Sequence, residues 1–307
     1  MTATAMTPAA SMPAAAAAPS AFRRLSLGSR SISVAASAAL LAPFFALLLV
    51  VFLYPLLSLL STSFLEPKPG LGNYARVFDN PVYLRVMLRT AWISLLTTLL
   101  ALVLGFPIAY MMTKVKGATA ALLTACVLLP LWSSVLVRTA AWIVLLRRDG
   151  IINNALQWLG ISGRPLTLLY TEGAVVLAMA HVLLPFLILP IYSALKNIPE
   201  DYMRAAAMLG ANRRRAFFEV LLPLSRAGVW SGCLMVFLSA LGFFVTPALI
   251  GSPQELMIAT LVSQQVREML DWPFAAALIG VLMAVVATLT MVFNKAVSFN
   301  RLIGGGA

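Results

Sequence analysis

Residues 173–195 read GAVVLAMAHVLLPFLILPIYSAL, and residues 196–223 follow as KNIPEDYMRAAAMLGANRRRAFFEVLLP. The first stretch carries no Asp, Glu, Lys or Arg. At 1.5 Å per helical residue it reaches roughly 34 Å, enough to cross a hydrocarbon core of roughly 30 Å. Lipid offers no water to backbone amides, so such a run is stable only as a helix or as a strand of a closed barrel. The alternating pattern of a barrel strand is missing, which leaves the helix. The second stretch holds eight ionised side chains and returns the chain through water.

Working outward, five more runs of the first kind stand at about 39–60, 91–112, 118–146, 229–250 and 274–297. Composition agrees, with 61% hydrophobic residues, 10% charged ones and a mean hydropathy of +0.95; a soluble domain carries roughly a quarter charged residues. The expected fold is all-α, a polytopic membrane protein with six transmembrane helices, over 35–303, with both termini on one side of the membrane.

Lys and Arg counts set the expected orientation. With a cytoplasmic N-terminus, 13 of the 22 fall on the inner side: Arg23, Arg24, Arg30, Lys114, Lys116, Lys196, Arg204, Arg213, Arg214, Arg215, Arg226, Lys295 and Arg301. Eight fall outside and Arg138 lies inside the third run, while seven of the ten acids are outside. The net charge of +12 therefore reads as a topology signal with anionic lipid headgroups as partner, and calls for no nucleic acid. Residues 1–20 are nearly all Ala, Pro, Thr, Ser and Met, too poor in large apolar side chains to offset the entropy of ordering, so 1–34 is expected to be a disordered cytoplasmic tail. The run after Arg30 is about twice the length of a signal-peptide core and is expected to stay in the mature protein.

Chemistry-bearing residues are few. Cys126 and Cys233 fall within runs and read as small packing residues, so neither a disulfide framework nor a metal is expected. His181 is the one histidine; a bond to a neighbouring helix outweighs a proton relay. None of the five lysines follows a glycine, so the Gly-Lys pair of a phosphate-binding loop is missing and any ATP is bound by another chain. The expectation is a transport subunit without cofactor, not an enzyme.

The loop at 196–228 carries the most information. Pro199 followed by Glu200 and Asp201 starts a helix, Ala205, Ala206 and Ala207 favour it, and Gly210 supplies a turn with positive φ before a second helix. Such a unit at the membrane surface presents small residues to a partner.

This segment resembles the signature loop of binding-protein-dependent ABC importer permeases: Glu-Ala-Ala, three residues, Gly, nine residues, then Ile-x-Leu-Pro. Ala205, Ala206, Gly210, Leu222 and Pro223 match at that spacing, Val220 stands for the Ile, and Arg204 departs from the pattern where the Glu belongs. The likeness runs from about Asn73 to Ser252 and is nearest to spermidine/putrescine-type permeases. Leu71-Gly72-Asn73-Tyr74, Leu129-Pro130-Leu131-Trp132, Val137-Arg138-Thr139, Leu168-Leu169-Tyr170-Thr171, Val182-Leu183-Leu184-Pro185-Phe186, Ala240 to Val245 and Pro247 carry it. It implies an ATP-driven importer with two ATP-binding subunits, a second permease subunit and an extracytoplasmic solute-binding protein, in a bacterial inner membrane. It also implies that Arg204, Ala205, Ala206, Gly210, Val220, Leu222 and Pro223 couple the chain to the ATPase.

Pathway candidates follow from chemistry. Arg138 is costly in lipid unless it faces water, protein or the membrane edge. Trp132, Trp142, Phe243 and Phe244 offer ring faces to an amine or act as packing and interface residues. Prolines 107, 130, 185, 190 and 247 interrupt helix ladders and mark hinges or packing kinks. Alternatives remain open: an importer of another organic solute or an anion, or a channel or membrane scaffold independent of any ATPase.

Overall fold

The computed structural model describes residues 34–66 and 68–304. The expected tail, 1–34, lies outside the described residues apart from Val34. Among those described, every regular element is a helix. The chain divides into two units, Met1–Tyr54 and Pro55–Ala307. In the first, α1 (Val34–Leu48) widens into a π-helical turn at Leu49–Leu53. Helix α2 (Tyr54–Leu65) begins at the last residue of the first unit, and the run Leu40–Leu65 is long and apolar enough to cross a membrane.

Short α3 (Gly72–Asp79) is pinned to the end of α2 by Asn73 Nδ2, which donates to Ser63 O at 2.9 Å and Glu66 O at 2.7 Å. Asn80 caps α4 (Pro81–Lys114), its Oδ1 accepting from Val82 N at 3.0 Å, and Pro81 occupies the first turn where its missing N–H costs nothing. There follow α5 (Gly117–Trp132), α6 (Val135–Leu146), α7 (Ile151–Trp158) and α8 (Glu172–Lys196). The rest are α9 (Glu200–Met208), α10 (Arg213–Ala216), α11 (Leu222–Leu241), α12 (Val245–Ile250), α13 (Ile258–Arg267) and α14 (Trp272–Gly304).

Helices α4, α8 and α11 form the centre, with α8 the most enclosed of the spans. Small residues at helical spacing allow it. On α4 the buried face runs Ile93, Ser94, Thr97, Ala101, Gly105, Ala109 and Met112. A Cβ on Gly105 would stand 2.6 Å from Leu187 Cδ2; one on Gly228 would collide with Ala194 Cβ, and one on Gly232 would stand 2.9 Å from Leu187 O. The backbones of α11 and α8 therefore touch across a Gly-x-x-x-Gly pair, a packing that dispersion favours in lipid, where there is little hydrophobic drive between helices. A second cluster of Val77, Ile258, Phe274 and Leu278 joins α3, α13 and α14.

Two expected spans are corrected. The run at 118–146 is no straight helix: α5 ends at Trp132, and the chain turns through 102° into the helical stretch that begins at Val135. Ser133 N and Oγ both return to Pro130 O, at 3.3 and 3.0 Å, which closes the helix end locally instead of extending it. The run at 229–250 breaks at Gly242–Phe244, where Phe243 N turns back to Ala240 O at 3.1 Å. Its membrane helix starts earlier, and Arg213–Leu241 is continuous through a π-turn at Phe217–Leu221. Pro223 has no N–H to give to Glu219 O, which explains a widened turn just before it. Among the described residues five helices are thus long and apolar enough to cross, and six if the bent pair counts as one span. Pro107, Pro185 and Pro190 sit inside unbroken helices, whereas Pro130 lies in the last turn of α5 and Pro247 in the first turn of α12, each beside a break.

Candidate functional site

The hairpin between α8 and α11 is built locally. Helix α9 starts after Pro199 with Glu200 and Asp201 in its first turn, where the helix dipole favours acids. It ends in a Schellman turn: Ala211 N donates to Ala206 O and Gly210 N to Ala207 O, both at 3.0 Å, with Gly210 at φ +82°. Asn212 then caps α10, its Oδ1 accepting from Arg215 N at 2.8 Å. Ala206 and Ala216 are buried where the two arms meet. Ala205, Gly210, Pro223 and Arg204 are exposed, and Val220 and Leu222 are half-buried in and after the π-turn.

Phe217 anchors the hairpin to the bundle, its ring edge-on to Phe106 at 5.9 Å and Tyr110 at 5.6 Å on α4. Sequence reasoning missed it; the signal was an aromatic pair, Phe217 and Phe218, one residue beyond three arginines. Arg204 donates to Glu200 Oε2 at 3.2 Å and lies 3.7 Å from Asp201 Oδ1.

The pathway candidates gather at the two breaks. Arg138 neither reaches for the membrane edge nor stands free: Nη2 donates to Ser133 O at 3.3 Å and Nη1 to Val182 O at 3.4 Å, so the guanidinium serves carbonyls at the break and on the turn of α8 just before Pro185. One residue on, Thr139 Oγ1 meets Thr246 Oγ1 of α12 at 3.0 Å, both fully buried. A turn further, Trp142 Nε1 donates to His181 Nδ1 at 3.2 Å. Helix α6 is thus tied to α5, α8 and α12 by three polar side chains of its own. Trp142 and His181 are packing partners across helices, as expected for the histidine. Phe243 is half-buried against the core, Phe244 is exposed at the second break, and Trp132 is 87% exposed.

A third group, whose members no motif or spacing links, lies where α4 and α8 meet the loop before α13. Arg89 Nη2 is 3.3 Å from Glu172 Oε2 and 3.7 Å from Glu255 Oε1; Trp92 Nε1 donates to Glu172 Oε1 at 3.0 Å. Glu255 also closes a capping box with Ser252, and Thr90 Oγ1 accepts from Ile258 N at 2.9 Å. Arg76 pairs with Asp271 at 2.6 Å, and that bond holds its guanidinium pKa above the ordinary value against the opposing cost of burial.

A bundle of long apolar helices, two of them interrupted, with an exposed helical hairpin between α8 and α11 has the architecture of a polytopic membrane protein. Residues 101–301 match the family described as binding-protein-dependent transport system inner membrane component. The chain is 33% identical over 258 residues, 81% of its length and 89% of the relative's, to the spermidine/putrescine transport system permease protein PotB of Salmonella typhimurium (strain SL1344). It is 34% identical over 267 residues to PotB of Haemophilus influenzae, covering 84% and 92% of the two chains. Its fold is similar to a chain of the bacterial alginate ABC transporter in complex with an alginate pentasaccharide-bound periplasmic protein, with a TM-score of 0.73 at 19% identity over 87% of this chain and 94% of that one. The chain belongs to the binding-protein-dependent transport system inner membrane component family. It is a multi-pass inner-membrane permease subunit.

Proposed function

We propose that this permease subunit forms part of the pathway of an ATP-driven polyamine importer, together with a second permease subunit, two ATP-binding subunits and an extracytoplasmic solute-binding protein. The solute class rests on the PotB relatives, which match along nearly their whole length. The observation that carries the coupling role is the hairpin of α9 and α10, closed by Gly210 and anchored on Phe217. A short helix packed this way transmits displacement where a slack linker would dissipate it. In this reading both termini are cytoplasmic, 35–303 is the permease domain, and 196–228 is the coupling loop. Ala205, Ala206, Gly210, Val220, Leu222 and Pro223 form the ATPase-facing surface or its support, and Arg204 lies in the same loop, paired with Glu200 and Asp201 within α9. Trp132, Phe243 and Phe244 remain pathway candidates; Arg138 and Trp142 act by holding α6 beside the pathway.

Among the described residues no carboxylate lies in the middle of a span, so in this reading recognition of an amine falls to ring faces. Uptake of labelled putrescine and spermidine into proteoliposomes holding the whole complex tests the reading. It expects uptake that needs both internal ATP and the binding protein; binding-protein-dependent uptake of an anion but of no amine would move the solute class.

A further inference from the structure

We infer that the docking hairpin engages its ATPase through an apolar tip formed by Met208 and Leu209, and that Arg204 makes no ion pair with that partner. The inference deepens the coupling role proposed above and rests on it. Met208 and Leu209 are 89% and 88% exposed, more than any other large apolar side chain among the described residues. On the spans, exposed apolar side chains meet lipid. These two do not, because they stand between Glu200, Asp201 and Arg204 on one arm and Arg213, Arg214 and Arg215 on the other. The Schellman turn fixes them at the outermost bend, so they are held in water instead of folding back on the hairpin. A preorganised apolar pair rimmed by charges has the makeup of an interface anchor.

Arg204 has the opposite character. Its guanidinium is held by Glu200 at i−4 and Asp201 at i−3, and the one net negative charge that remains in α9 sits in the first turn, where the helix dipole offsets it. The helix balances its own charges. A partner carboxylate would have to displace Glu200 or Asp201, exchanging one exposed ion pair for another at little net gain. Burying Met208 and Leu209 involves no such exchange. An acid at 204, as in the family pattern, would put a third carboxylate on the helix within one turn and demand a cation from the partner; the arginine removes that demand.

The test uses the detergent-solubilised permease complex and the ATPase subunit that co-purifies with it, stripped and rebound at about 50 and about 300 mM salt. Arg204→Gln is expected to change the Kd less than about threefold at either salt, and Met208→Ser with Leu209→Ser to weaken it about 100-fold. All these side chains are exposed, so unchanged gel-filtration and melting profiles are expected for each variant. A loss of about tenfold or more in Arg204→Gln overturns the inference, as does unaltered binding by the tip variant. If no ATPase accompanies the unaltered chain, the docking role itself falls and the inference with it.

Discussion

Gly210 holds φ +82° with nothing within 4 Å of the Cβ it lacks, so backbone strain alone closes the position to other residues. Asparagine tolerates the left-handed region and β-branched residues do not. Gly210→Asn should keep most solute-stimulated ATPase activity in the purified complex, and Gly210→Val should lose most of it at a cost of about 1–2 kcal/mol to the turn. The Thr139 and Thr246 hydroxyls, fully buried on α6 and α12, make a different case. Either single change to Val strands the other hydroxyl and should cost about 1–3 kcal/mol, whereas the double change should fall much nearer the parent. Thermal melting of the four solubilised proteins measures that coupling; strictly additive losses would mean the pair is not bonded. Arg138 shows how far residue chemistry can be read from sequence: its oddity in an apolar run was plain, but its partners are carbonyls 5 and 44 positions away, and carbonyls are the same in every residue.

At the scale of elements, glycines separate into those that admit a neighbour and those that do not. Gly228 and Gly232 lie where α11 touches α8, and Leu at either should prevent assembly, seen as loss of the monodisperse peak after solubilisation. Gly242 stands in open space at the second break, so Gly242→Ala should leave that peak unchanged. Hydropathy located helices such as α4 and α8 because lipid selects composition over some twenty residues at a time. It could not locate the breaks: Ser133-Ser134 and Gly242-Phe243-Phe244 are as small or as apolar as their surroundings, and a change of direction leaves no mark on an average. The hairpin was readable for the opposite reason. Pro199 and Gly210 each impose a particular backbone geometry, and their spacing fixes where α9 begins and where the chain turns.

For the whole molecule, the basic bias of the loop at 196–228 predicts that it faces the cytoplasm while the segment between α7 and α8 faces outward. With Cys126 and Cys233 replaced by alanine, a membrane-impermeant maleimide applied to intact cells should label Ser162→Cys and spare Asn212→Cys until the cells are broken; the reverse pattern would invert the topology. The ties among Arg89, Glu172 and Glu255 then belong to the outer end of the bundle, where α4, α8 and the α13 loop meet. Whether this chain receives an ATPase is decided by co-purification of the solubilised complex, unaltered and as Gly210→Val, with ATPase activity followed in the presence of solute-loaded binding protein. An ATPase should accompany the native chain and be lost, or run without solute control, in the variant. A native complex from which no ATPase can be recovered would contradict the docking role.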